Sequence, residues 1–243
     1  MSILRLEEWL QTPQGRYLLD WEQAALDQCL ADIFGYYAVQ IGLPGIDLLR
    51  ANRMPLHLRC GPLARSGDEF ASVCASADAL PFATASVDLV VLPHALEFSS
   101  QAHKVLREVE RVLVPEGSVV VTGFNPLSLW GARRLLARAG AEFPWRGRYR
   151  SVMQIRDWLG LLGFEVQHTA YGCYAPPLRG PRWRFLDRPG ARWWPVLGAA
   201  YLLHGIKRVQ GMRLIAPDWR SRKARAKRLS PVAQRDGSTR TMY

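Results

Sequence analysis

His94 and Glu97 stand three positions apart, directly after the apolar, β-branched run 87–92, and they are the only titratable side chains in Pro93-His94-Ala95-Leu96-Glu97-Phe98. An imidazole titrates near neutral pH and a carboxylate can be tuned toward it. Either could therefore act as general base toward an oxygen or nitrogen nucleophile. The plainer alternative is a histidine at a helix start, bonded only to backbone. Further polar groups sit at the ends of other candidate strands: Gln40 and Gly42 at the end of 36–41, Asp78 after 70–75, and Asn125 after 118–122. A glycine between strand and helix lets a ligand approach the backbone, and a helix N-terminus beyond it favours a carboxylate. Asn125 is a candidate substrate contact or a turn former. His57, His103, His168 and His204 are scattered and read as structural or solvent-facing.

The elements that would position these groups alternate. Residues 4–34 carry helical periodicity broken at Thr12-Pro13, which predicts two helices. After the strand 36–41, Leu43-Pro44-Gly45 turns into 46–51, predicted helical, and 56–60 and 70–75 are two more short strands. Strands 87–92 and 118–122 are near-continuous apolar runs, as strands covered on both faces should be. Between them Val105, Leu106, Val109, Val112 and Leu113 form one buried helix face, with Lys104, Arg107, Glu108 and Arg111 outside. Asp88 reads as structural, tying down the start of its strand. Helices are predicted over 128–139 and 152–162, with Gly163 as the stop before strand 164–167. Periodicity alone leaves 198–208 as either a helix or a last strand. Strands alternating with helices predict an α/β fold, a mainly parallel twisted sheet with helices on both faces. The expected organisation is an N-terminal helical segment (1–34), an α/β domain (35–210) with an Arg/Trp-rich insertion at about 176–195, and a basic tail (211–243).

The net charge of +11 is unevenly placed: residues 1–174 carry a balance of −2, whereas residues 175–243 carry +13. Such a segment suits a polyanion, either nucleic acid or an anionic membrane surface, unless it is only a solvated tail. Trp183, Phe185, Trp193, Trp194 and Tyr201 among Arg182, Arg184, Arg188 and Arg192 could stack on bases, lie at a lipid interface, or pack on the sheet as a lid. Cys29, Cys60, Cys74 and Cys173 are widely spaced, so neither a zinc site nor a disulfide framework is expected. No metal is predicted. Neither an export signal nor a transmembrane segment is read, and a cytoplasmic location is expected.

The run Asp78-Ala79-Leu80-Pro81-Phe82, the Ser86-Val87-Asp88-Leu89-Val90-Val91 that follows, and the segment 93–98 resemble the class I S-adenosylmethionine-dependent methyltransferases. The likeness is to a bacterial branch of the methyltransferase type 11 family and covers about residues 36–170, extending weakly to Lys207. It implies a Rossmann-like fold with 198–208 as a strand, S-adenosylmethionine as cofactor, and direct methyl transfer to an unidentified acceptor. By the same resemblance, the Asp78 carboxylate accepts from the adenine amino group, the Ala79 amide donates to a ring nitrogen, and Leu80 belongs to that loop. Leu92 ends the strand that faces the methyl group, with His94 and Glu97 as the catalytic candidates beside it. Upstream, Gln40 stands where the family has an acid, Gly42 keeps the first glycine, and Pro44 and Ile46 replace the next two. Cys60-Gly61-Pro62 lacks the acid that clamps the ribose. A degenerate, non-catalytic methyltransferase fold serving as a scaffold through its basic aromatic C-terminal region is the alternative. A nicotinamide-dinucleotide oxidoreductase is disfavoured, because Pro44 removes a backbone donor where a pyrophosphate turn needs one.

Overall fold

The computed structural model describes residues 4–61, 73–136, 147–177 and 181–209. Seven strands, β1 (Tyr37–Ile41), β2 (Leu56–Gly61), β3 (Val73–Cys74), β4 (Val87–Pro93), β5 (Leu113–Phe124), β6 (Phe164–Gly172) and β7 (Ala200–Lys207), form one sheet in the order β3-β2-β1-β4-β5-β7-β6. Strands β1 to β5 pair in parallel, and β7 runs antiparallel to both β5 and β6. The carboxyl ends of β1 to β6 therefore share one edge, where open α/β sheets bind ligands.

Both faces of the sheet are covered, which is why its central strands are apolar throughout. On one face Val39, Val90, Val119 and Leu203 meet α4 (Ala102–Val112), through Val105, Leu106 and Val109, and α6 (Val152–Leu161), through Ile155 and Leu159. On the other, Ala38, Leu89, Val91 and Val120 meet α1 (Leu4–Leu10) and α2 (Pro13–Leu30). The N-terminal helices thus share the core of the sheet. Thr12 caps α2 by accepting from the Gly15 amide at 3.1 Å, and Pro13 takes the first helical position, where no N–H is needed. Asp88 is structural, as its position suggested: one carboxylate oxygen accepts from the Tyr36 and Tyr37 amides, each at 2.9 Å.

Three segments differ from expectation. Residues 46–51 form successive turns, not a helix. The Gln40 side chain captures the Gly42, Leu43 and Ile46 carbonyls at 2.9–3.0 Å and accepts from the Leu48 amide, and Asp47 accepts from the Leu49 amide. Side chains thereby take the backbone groups that a helix would have used. Segment 198–208 contains strand β7, whose end is held by Lys207, its ammonium bonded to the Leu113 carbonyl and paired with Glu110 at 2.9 Å. Strand β6 runs five residues beyond the predicted 164–167, because β7 pairs with it along its length. Residues 70–72 of the candidate strand 70–75, the part of the predicted helix 128–139 beyond α5 (Leu129–Leu136), and the tail 211–243 lie outside the described residues. Among the described residues no helix is long and apolar enough to cross a membrane, and no cluster suits a metal ion.

Candidate functional site

At the carboxyl end of β4, His94 takes a left-handed backbone conformation (φ 51°) and opens the four-residue helix α3 (Ala95–Phe98). That conformation costs a non-glycine residue about 1 kcal/mol, and it is held by side-chain bonds on both ring nitrogens. Nδ1 lies 2.9 Å from Glu97 Oε2 and Nε2 lies 2.8 Å from Glu22 Oε1. Sequence reasoning placed His94 and Glu97 together, and the fold adds Glu22 from the middle of α2. All three are sealed from solvent, at 0, 3 and 0% exposure for His94, Glu97 and Glu22. The remaining Glu97 oxygen accepts from the Phe124 amide, whereas Glu22 Oε2 is buried without a partner.

Burial opposes a charged imidazole, but the two carboxylates overcome it and push His94 up to about 10. Glu97 is also raised, by burial first, against the lowering effect of His94 and the Phe124 amide. His94 is therefore an imidazolium at neutral pH that donates to both carboxylates, and it has no lone pair with which to take a proton. As assembled, the trio holds a proton and fixes the β4–α3 turn. It does not present a general base to solvent.

An aromatic cluster encloses the trio. Phe124, the last residue of β5, lies 4.5 Å from the His94 ring and 5.0 Å from Tyr149, and Trp130 and Trp9 pack beyond it. Burial, with Glu97 next, raises the Tyr149 hydroxyl, which has no hydrogen-bond partner. Glu22, Tyr149 and Phe124 were not among the predicted site residues. For Glu22 a signal existed: it falls on the stripe Leu18, Glu22, Leu26, Leu30, a lone carboxylate on the buried face of an amphipathic helix.

The other predicted residues divide into two groups. Gln40 is fully buried and its amide is spent on the β1–β2 turn. Gly42 (φ 101°) is buried, and its own amide donates to the Cys60 carbonyl at 2.9 Å. No helix N-terminus follows it, contrary to expectation. The Pro44 ring sits against Gly61, where an added Cβ would lie 3.0 Å from Pro44 Cγ, and Glu7 of α1 accepts from the Gly45 amide. Asn125 is buried and acts as a strut: its amide donates to the Val196 and Gly198 carbonyls while its oxygen accepts from Leu127. Of the two roles considered for Asn125, these bonds are those of a turn former. The Leu92 side chain lies in the core beneath α4, so only its backbone belongs to the edge.

Asp78 and Ala79, by contrast, are exposed, and among the described residues Asp78 is bonded only by the Ser76 hydroxyl of its own turn. The Ala79 amide donates to the Ser76 carbonyl at 3.1 Å. Leu80 is buried, and its amide and carbonyl are tied to Glu108 and Arg111 of α4. The Asp78 loop is thus braced by α4, with Asp78 and Ala79 exposed among the described residues.

Residues 45–121 match the family described as Methyltransferase domain. The match takes in about a third of the chain, from the β1–β2 connection to β5. The fold is similar to those of S-adenosylmethionine-dependent methyltransferases of Thermotoga maritima (TM-score 0.56, 15% identity, 79% of this chain and 97% of that one) and Archaeoglobus fulgidus (TM-score 0.57, 14% identity, 77% and 94%). At such identities the likeness is one of fold. By sequence the chain is 29% identical over 174 residues to the protein YafS of Escherichia coli K12, 67% of this chain and 66% of that protein. It is 38% identical over 70 residues to the malonyl-[acyl-carrier protein] O-methyltransferase of Halorhodospira halophila, 29% of this chain and 24% of that enzyme.

The methyltransferase domain implies S-adenosylmethionine as cofactor, and the residues fit it unequally. At the adenine end the exposed Asp78 carboxylate is available to an amino group. At the ribose and methionine end the fit fails as the chain stands. Gly42 and Pro44 are buried, the Gln40 amide is consumed, and Pro44 fills the space beside Gly61.

Proposed function

We propose that the chain is a methyltransferase that transfers a methyl group from S-adenosylmethionine directly to its acceptor. The observation that carries this reading is the family match over residues 45–121 together with Asp78, exposed on a loop braced by α4 at the edge where such sheets bind ligands. Asp78 would hold the adenine. Direct transfer depends on alignment of the reacting atoms more than on a base, so the sealing of His94 and Glu97 does not count against it. The filled ribose and methionine end favours a second reading, a binding protein that keeps the fold without the reaction.

Calorimetric titration with S-adenosylmethionine separates the two. Micromolar binding, weakened about tenfold in Asp78→Ala by loss of one charge-assisted hydrogen bond, supports the enzyme. No binding at millimolar cofactor refutes it and leaves the binding protein.

A further inference from the structure

The insertion between β6 and β7 does not close over the sheet as a lid. It comprises a 3-10 turn (Pro181–Leu186), the short helix α7 (Asp187–Trp193) and a second 3-10 turn (Pro195–Leu197). Every residue from 191 to 197, Ala-Arg-Trp-Trp-Pro-Val-Leu, is exposed, and all but the arginine are apolar. Trp193 is 74% exposed and Phe185 65%, and the latter stacks with Trp183 at 6.2 Å. Large apolar side chains exposed in a contiguous run mark an interaction surface and not a folding core. The segment is nonetheless anchored from below. The Asp187 carboxylate accepts from the Tyr17 hydroxyl and the Tyr174 amide, the Tyr174 hydroxyl donates to the Pro195 carbonyl, and Asn125 holds Val196 and Gly198. A firm base therefore presents an apolar crest.

The charges on this crest choose the partner. Arg184, Arg188 and Arg192 are exposed, and of these three only Arg184 has an ion partner among the described residues, a loose contact with Asp20 at 3.6 Å. Chain 175–243 as a whole carries a balance of +13. Tryptophan beside arginine suits the boundary between headgroups and acyl chains, where the indole body is apolar and its N–H stays wet. A nucleic-acid platform would use flat rings on which bases stack. The aliphatic members of this crest, Ala191, Pro195, Val196 and Leu197, offer no stacking face, whereas a lipid surface accepts them. We propose that the crest 183–197 is a peripheral docking surface for anionic membranes, with the aromatic and aliphatic side chains inserted at headgroup depth and the arginines on lipid phosphates. The proposal is independent of the methyl-transfer reading.

The test is flotation of the full chain with vesicles of phosphatidylcholine containing phosphatidylglycerol, beside pure phosphatidylcholine, with brominated lipid as a depth-sensitive quencher of tryptophan. The expected result is salt-sensitive binding to the anionic vesicles with quenching. The double variant Trp193→Ser, Trp194→Ser should lower binding by at least about tenfold and reduce the quenching to what Trp183 alone contributes, and Arg188→Gln or Arg192→Gln should lower binding about fivefold. These side chains are exposed, so the variants should melt as the parent does. Vesicle binding unchanged in the double variant overturns the proposal, as does absence of binding to anionic vesicles. Retention on single-stranded oligonucleotide that is lost in the same variant would overturn it in favour of nucleic acid, and a self-association lost in that variant would overturn it in favour of a second copy.

Discussion

The two ends of the candidate crevice, a few strands apart on one sheet edge, solve the same local problem in opposite ways. At the β3 end, Asp78 and Ala79 are exposed and the loop is fastened by Glu108 and Arg111 of α4, so the Asp78 carboxylate faces outward, although the Ala79 amide is taken by the Ser76 carbonyl. At the β1 and β4 ends, Gln40 and His94 are buried and bonded on every polar atom, each serving as the hub of its own turn. A polar side chain sealed at a strand end must satisfy itself or destabilise the fold. Once satisfied internally, it has little left to offer a ligand.

Breaking the sealed end should have the largest effect. His94→Ala removes the only cation between two buried carboxylates and should cost about 3–5 kcal/mol of unfolding free energy in urea titrations. Glu22→Gln should cost much less, because the remaining His94–Glu97 pair is balanced and the amide oxygen can still accept from Nε2. Equal losses would mean that the trio does not act as a charged unit. The same trio fixes the sign of a pH effect. The folded value of His94, about 10, lies above its unfolded value of about 6.5, so its contribution is complete below pH ~6.5 and is lost as pH rises toward 10. Parent stability should fall across that window, and His94→Gln should be flatter there.

Next in size is Gln40→Ala, which strands buried carbonyls of the β1–β2 turn and should destabilise by about 3 kcal/mol. Gln40→Glu puts an acid at the end of β1, but sets a carboxylate against three carbonyls. It should destabilise the fold and leave cofactor affinity no better. Tighter binding in that variant would show that the sealed end opens to the cofactor. At the open end, Asp78→Ala should leave urea stability within about 0.5 kcal/mol of the parent, so any loss of cofactor affinity there is a binding effect. The smallest effect expected on the site comes from deleting residues 217–243. Cofactor affinity should stay unchanged while salt-sensitive retention on heparin is lost. Equal retention by the shortened chain would remove the tail from the account of polyanion binding.

Much of the architecture was legible in the sequence because it is written in short-range patterns. The stripe Val105, Leu106, Val109, Val112 specifies α4, Thr12-Pro13 specifies the start of α2, and the apolar runs 87–92 and 118–122 specify the central strands. Asp78-Ala79-Leu80-Pro81-Phe82 marks the open loop by resemblance. The helix expected at 46–51 was read from the turn Leu43-Pro44-Gly45 before it, while the group that unmakes the helix, the Gln40 amide, comes from the preceding strand.

The chain's local order thus determined which segments are helix or strand and where polar groups fall at strand ends. Which of those groups are available to a ligand was decided only by tertiary packing. Glu22 and His94 are 72 residues apart and have no pattern in common, yet they meet because α2 lies across the sheet. Asn125 finds its acceptors 71 and 73 residues downstream, where the insertion returns to the sheet. The physical reason is that hydrophobic periodicity specifies which face of an element is buried. What a buried polar atom will meet there depends on which other element is packed against that face.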